Sequence, residues 1–259
     1  VRMWNSNHPD YQEGKSYTVA KFIPGFQGEQ VMLEGAEKTA LTENVTKAEM
    51  DPWVLLSHKR AIQAAKEGIL SDIQLSIADS KKDEGLRPSM SQRLLARLPC
   101  LLPGGSIITA ANACLMHDGA AFVVLCSEAY RKKHGLTPQA AFRFGTAIGS
   151  DPFMSPKTAV LAIRKLLKQT ALSIDEIHSL EVNEAFAVID VLLEREFPGI
   201  RERLNPLGGA LAYGHPYGAS GAIILLHLLK DLELNQGRFG ICGVAAAGGI
   251  GTALLVEKV

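Results

Sequence analysis

The chain has 259 residues, 47% of them hydrophobic and 21% charged, a balance that suits a soluble globular protein with a substantial core, as one large domain or two ordinary ones. Lys+Arg and Asp+Glu both number 27, so no whole-chain field draws nucleic acid or an acidic membrane. No apolar run reaches the roughly 18 residues that a membrane-spanning helix needs.

Cys100, Cys114, Cys126 and Cys242 are widely spaced, with no CxxC pair and no metal-ligand spacing. Free thiols in a reducing, cytoplasmic compartment and no bound metal are expected. The chain starts at Val1 with nothing near it like a signal peptide, as in a processed or partly represented protein.

The first thirty residues scatter Trp4, Tyr11, Tyr17 and Phe22 among polar residues and read as a loop. A short helix is predicted over 32–41. A clearer one runs over 51–66, where Trp53, Leu56, Ala61 and Ala64 keep helical spacing. Thr46, three residues before Glu49, has the spacing of a capping box. Residues 81–85 read as a polar turn and 91–98 as another short helix.

Leu102-Pro103-Gly104-Gly105 is the candidate organisational boundary, and strand patterns begin after it. Strands are predicted at 106–109, 120–125, 141–145, 180–183, 239–245 and 252–257. Helices alternate with the later ones: 156–169 with proline at its start, a second running to about 196 after Asn183, and 219–232. That alternation predicts an α/β fold, its strands buried between helices.

The segment Asn205-Pro-Leu-Gly-Gly-Ala-Leu-Ala-Tyr-Gly-His-Pro-Tyr-Gly-Ala-Ser-Gly-Ala222 places His215 in a glycine-rich turn that leads into an apolar helix. The glycines imply backbone conformations that side chains obstruct. A histidine there is positioned at a helix N-terminus, where N–H groups favour negative charge. A packing turn with an incidental surface histidine is the plainer reading of Gly-His-Pro alone.

Four segments together are similar to the thiolase family, enzymes that make or cleave 3-oxoacyl-CoA. They are Thr109-Ala-Ala-Asn-Ala-Cys-Leu-Met-His-Asp-Gly-Ala120, Val182-Asn-Glu-Ala-Phe-Ala187, the Gly-His-Pro segment, and Ala247-Gly-Gly-Ile-Gly-Thr-Ala253. The resemblance extends back through Thr46-Lys-Ala-Glu-Met-Asp51, Ser57-His-Lys-Arg-Ala61 and Asp83-Glu-Gly-Leu-Arg-Pro88, and so covers residue 32 to the C-terminus. It implies the thiolase fold, two similar βαβαβαββ halves with a loop domain inserted in the first. Here 1–105 would be the loop domain on the CoA-binding side, 106–128 the last strand region of the N-terminal half, and 129–259 the C-terminal half. Most of the N-terminal half, which carries the family's acyl-accepting cysteine, has no counterpart.

The resemblance also implies roles. The histidine matching His215 takes the proton of the nucleophilic cysteine and helps hold the thioester oxygen, work that suits an imidazole. The asparagine matching Asn183 positions a water that completes an oxyanion site; Asn183 also stands where a helix N-cap could. The family's second cysteine, the acid/base on the substrate's α-carbon, falls at Ala245, so carbon–carbon bond formation loses its base. Cys242 is an odd offset away, which on a strand points to the opposite face, and reads as a small buried thiol.

For CoA, Arg87 matches an arginine near the nucleotide end, its alternative being a solvated turn residue. Cys114 replaces a serine that bonds the pantetheine arm. Ala110, Met116, Ala185 and Phe186 match positions lining the pantetheine channel, with core packing as their alternative. Ser155 replaces a methionine beside the acyl group and implies an altered acyl pocket. His117 reads as structural.

The expected function is acyl transfer on CoA thioesters, impaired in carbon–carbon chemistry. The alternative is a catalytically inactive protein that binds acyl-CoA or a partner subunit. The only small-molecule partner implied is the CoA thioester itself, as substrate, with no further cofactor. A homodimer or homotetramer is expected, since a half-thiolase would expose apolar surface that the missing N-terminal half covers.

Overall fold

The computed structural model describes residues 30–77 and 83–259. The N-terminal stretch read as a loop, and Lys81 and Lys82 of the predicted polar turn, lie outside the described residues. Two helices come first, α1 (Val31–Thr42) and α2 (Lys47–Glu67), then a single turn α3 (Gln92–Leu95) and a short α4 (Glu128–His134). The remainder alternates: β1 (Ala140–Gly149), α5 (Thr158–Thr170), β2 (Ile177–Val182), α6 (Val188–Glu196), α7 (Ala210–Tyr213), α8 (Ser220–Leu234), β3 (Phe239–Ala246) and β4 (Ile250–Lys258).

Local chemistry explains where several of these begin. Thr46 caps α2: its hydroxyl accepts from Glu49 N, and the Glu49 carboxylate accepts from Thr46 N at 2.9 Å, so the capping box read from the sequence forms. The helix predicted over 156–169 starts later, at Thr158. A 3-10 turn, Pro152–Lys157, precedes it and holds both prolines.

The strands form one four-stranded sheet in the order β1-β4-β3-β2. β2 and β3 are parallel, while β4 runs antiparallel to both of its neighbours, β3 and β1. Helices cover both faces, as the alternation requires. Along β3, Ile241 and Ala245 pack with the core that includes Ile163 and Leu166 of α5, whereas Cys242 and Val244 pack with Ile224, Leu225 and Leu228 of α8. This two-residue period is strand geometry, and it settles Cys242: its thiol faces α8, away from the face of Ala245. Gly240 lets α8 approach closely, since a Cβ there would stand 2.6 Å from Leu228.

The α5-side core is continuous with the first two helices. Ala36 and Ala40 of α1 and Met50, Trp53 and Val54 of α2 join Ile189 and Leu193 of α6 in it.

Two predicted strands are absent. Over 106–109 the backbone makes only an isolated bridge, Cys100 to Thr109. The buried Glu37 carboxylate of α1 takes the N–H groups of Ser106 (2.6 Å), Ile107 (3.1 Å) and Ile108 (2.9 Å), which a strand neighbour would otherwise receive. Residues 120–125 pair with none of the four strands, and Phe122 and Val124 are 83% and 94% exposed. Their alternation and β-branching give strand propensity, but a strand exists only where a neighbour accepts its hydrogen bonds.

Candidate active site

The site is built where β2 ends. Val182 is the last residue of β2, and the next residue, Asn183, donates its N–H to Gly243 O of β3 at 3.0 Å. Asn183 is therefore fixed at the C-terminal end of two parallel strands, the edge at which open α/β sheets place ligands. It is not a helix N-cap: α6 starts at Val188, its N-cap is Ala187, and residues 184–187 intervene. Those residues pair instead with the 112–114 segment. Cys114 N donates to Ala185 O (3.0 Å), Ala187 N donates to Asn112 O (2.9 Å), and Ala113 bridges Phe186.

Asn205 holds this end of β2 from below. Its side chain accepts from Val182 N at 2.7 Å and donates to Val182 O at 3.0 Å, while its own N–H reaches Leu180 O at 2.8 Å. Its φ of 46° is left-handed, a region asparagine tolerates better than most residues. Glu184, also buried, accepts from the Ser57 hydroxyl of α2 (2.7 Å) and from Leu211 N of α7 (3.3 Å). Burial pushes its carboxyl above the usual range, against the pull of the bonds from Asn205, Ser57 and Leu211.

From α7 the chain passes through Gly214 to His215. Gly214 has φ 91° and ψ 177°, open only to glycine, and a Cβ there would stand 2.5 Å from the His117 ring. His117 is thus the packing residue that the sequence reading made it. His215 N donates to Leu115 O at 2.7 Å, and His215 pairs as a parallel bridge with Met116. The imidazole comes to rest between two side chains, Nε2 3.3 Å from Asn183 Nδ2 and Nδ1 2.6 Å from Ser220 Oγ. The Tyr217 ring meets it edge-on at 4.9 Å. Burial lowers the His215 pKa to about 4, so the ring is neutral near pH 7. The helix itself starts five residues on, at Ser220, after a 3-10 turn. His215 therefore sits in a turn ahead of α8 rather than at its N-terminus, and reaches the helix through its first side chain.

The other predicted residues divide. Cys114, Ala185 and Phe186 lie on the 112–114/184–187 pairing beside Asn183, and Met116 is 67% exposed next to His215. The Cys114 thiol is pushed up to about 12, chiefly by burial, which disqualifies it as a thiolate nucleophile. Ala245 lies two residues past Gly243 on β3, opposite Gly251. Ser155 is buried with its hydroxyl occupied: it donates to Pro152 O (2.9 Å) and accepts from Gly249 N (3.0 Å), fastening the 3-10 turn to the β3–β4 turn.

Ala110 is exposed. Arg87, also exposed, folds its guanidinium back onto the carbonyls of Glu84 and Leu86, while its N–H donates to the buried His58 ring at 3.3 Å. Among the described residues, no hydrogen bond ties Ala110 or Arg87 to the Asn183–His215 pair. Sequence reasoning passed over Ser57, Asn205 and Ser220. Their signal was faint, since each is one polar residue inside a stretch read for its glycines or its helical spacing.

Among the described residues no group of three or more His, Cys, Asp or Glu could hold a metal ion, and no helix is long and apolar enough to cross a membrane. All four cysteines are free.

Residues 4–129 match the thiolase N-terminal domain and residues 136–258 the thiolase C-terminal domain. A steroid 3-ketoacyl-CoA thiolase of Mycobacterium tuberculosis is 34% identical over 230 residues, 87% of this chain and 56% of that protein. Acetyl-CoA acetyltransferase IA of Candida tropicalis is 32% identical over 270 residues, 97% of this chain and 67% of that protein. Among solved structures, the acetyl-CoA acetyltransferase of Bacillus anthracis superposes with a TM-score of 0.83 at 34% identity, covering 88% of this chain and 60% of that one. Human mitochondrial 3-ketoacyl-CoA thiolase in complex with CoA gives 0.80 at 31% identity, covering 88% and 59%. The chain thus spans about 60% of the length of these solved relatives. With both domain families matched along the chain and the Asn183–His215 pair in place, this protein belongs to the thiolase family.

Proposed function

We propose that this chain binds CoA thioesters with the thioester carbonyl directed at Asn183 and His215, as the oxyanion-holding part of a thiolase-family acyltransferase. The carrying observation is the 3.3 Å approach of the Asn183 amide to the neutral His215 ring, at the C-terminal end of β2. Fixed donors at a developing oxyanion contribute about 3 kcal/mol each. CoA is present in the human relative's structure cited above, and in the Acat5 thiolase of Ascaris suum, 29% identical with a TM-score of 0.79.

In this reading the acyl-accepting thiol comes from polypeptide outside these 259 residues, since neither Cys114 nor Cys242 is a usable nucleophile. That thiol passes its proton to His215 Nε2 as sulfur bonds the thioester carbon, and CoA leaves as the thiolate. The resulting imidazolium then faces the acyl oxygen. Carbon–carbon bond formation is impaired, because the Ala245 methyl carries no proton. Ser155 shapes the acyl pocket indirectly, by fixing the turn after β3. The exposed Phe122 and Val124 support an assembly, a homodimer or larger, with the missing half packed on that segment in the cytoplasm.

Ala245 favours one rival: an inactive acyl-CoA-binding or partner subunit. Calorimetric titration with CoA and acetyl-CoA comes first. No binding by the chain, alone or with its cysteine-bearing complement, overturns both readings. Next, thiolysis of a 3-oxoacyl-CoA is assayed on that assembled protein and its Ala245→Cys variant. Acyl transfer from the parent, with thiolysis gained by the cysteine, is expected. Binding without any turnover, unrescued by the cysteine, makes the rival correct. Ordinary thiolase rates from the parent refute the impairment.

A further inference from the structure

The two contacts of the His215 ring are not chemically equivalent. Nε2 faces the Asn183 side-chain nitrogen at 3.3 Å, and an amide nitrogen has hydrogens to give but no lone pair to offer. That approach is attractive only if Nε2 keeps its own lone pair. A neutral imidazole carries one N–H, which then belongs on Nδ1. There, at 2.6 Å, stands the Ser220 hydroxyl.

Ser220 alone would accommodate either tautomer, because a hydroxyl both donates and accepts. Asn183 breaks the tie. Ser220 is only 4% exposed and is the first residue of α8, so its oxygen is anchored by the helix and little shared with water. The other side of the ring is lined by Tyr217, whose contact is an edge-on ring approach and gives no alternative acceptor for Nδ1–H.

We infer that Ser220 is a positioning residue, which accepts Nδ1–H and thereby holds His215 in the tautomer whose Nε2 lone pair faces Asn183. The burial that keeps the ring uncharged acts in the same direction, since one proton must be assigned to one nitrogen. The consequence for catalysis rests on the functional reading above: an Nε2 lone pair can receive a thiol proton, and an Nε2–H cannot. The tautomer itself is a property of the chain without substrate.

The test is ring-nitrogen NMR on the whole chain with 15N-labelled histidine, near pH 7 and with no CoA. His215→Gln identifies the His215 signals by their disappearance. In the parent, Nδ1 is expected at the protonated, pyrrole-type position and Nε2 at the pyridine-type position. Ser220→Ala should lose that pattern, shifting the ring toward Nε2–H, because Nδ1–H would lack its acceptor. Ser220→Thr keeps a hydroxyl and should restore it. Circular dichroism checks that each variant is folded.

An Nε2–H ring in the parent overturns the inference, and so does a folded Ser220→Ala that keeps the parent pattern. Should Ser220→Ala not fold, the parent spectrum and Ser220→Thr still decide: a folded threonine variant without the parent pattern removes the role of the hydroxyl. A chain with Nδ1–H that binds no CoA keeps this inference and loses the functional reading. CoA binding with Nε2–H does the reverse.

Discussion

Asn205→Ala tests the support beneath the site. The side chain supplies an acceptor to Val182 N and a donor to Val182 O, at 2.7 and 3.0 Å, in a place where Asn205 is 1% exposed and water cannot substitute. Removing it orphans one buried N–H and one buried C=O, at about 1–3 kcal/mol for each. Alanine must also hold a φ of 46°, which adds about 1 kcal/mol of left-handed strain. Together the loss is about 4 kcal/mol, a large share of the ~5–15 kcal/mol stability of a folded domain. Urea denaturation followed by circular dichroism reads it as a lowered midpoint.

Asn205→Gly separates the two contributions: it relieves the strain but leaves both Val182 groups unpaired, so it should stay about 2 kcal/mol or more below the parent. Recovery of parental stability by the glycine variant would refute the hydrogen-bond argument, as would a loss below about 1 kcal/mol in the alanine variant. Because Val182 precedes Asn183 directly, CoA affinity should fall in both variants.

Gly214→Ala should destabilise the chain by about 3 kcal/mol, from a backbone region closed to alanine and a Cβ 2.5 Å from the His117 ring; pairing it with His117→Ala should return only the steric part in the same denaturation assay. Acid should weaken the fold between about pH 6.5 and about pH 4, because burial lowers the pKa values of His58, His215 and His227 to about 4. The unfolded chain binds those protons first, so stability present above pH 6.5 is lost as pH falls, by up to ~3 kcal/mol per histidine. The raised carboxyls of Glu181 and Asp190 act oppositely: they ionise more readily in the unfolded chain, so stability should also decline on the alkaline side of the ordinary carboxylate range. Urea midpoints measured across pH should therefore show a maximum; a flat profile from pH 7 to 4 would contradict the burial of the three rings. Thr46→Ala should lower stability by about 1 kcal/mol through loss of the α2 capping box, read as a lower thermal midpoint.

The sequence by itself determined the later elements, the family and the identity of the site pair. Periodicity sufficed for β3, β4 and α8, because each buries a regular pattern against the same sheet. The α2 cap was equally legible, since Thr46 and Glu49 interact only with their own helix turn. The Asn-Glu-Ala-Phe-Ala and Gly-His-Pro strings singled out Asn183 and His215, and the structure sets them 3.3 Å apart. The odd offset of Cys242 from Ala245 likewise carried through to opposite faces of β3.

What the sequence could not decide depends on partners distant along the chain. The 106–109 segment has strand composition, yet Glu37, some seventy residues earlier, occupies its N–H groups. Residues 120–125 have strand propensity, but none of the four strands pairs with them. Asn183 looked able to cap a helix until residues 184–187 paired with 112–114 and postponed α6 to Val188. Ser57, Asn205 and Ser220 acquire their roles only when α2, β2 and α8 converge. A single polar side chain has no periodicity to read, and its hydrogen-bond partner exists only once the tertiary fold has brought it within 3 Å or so.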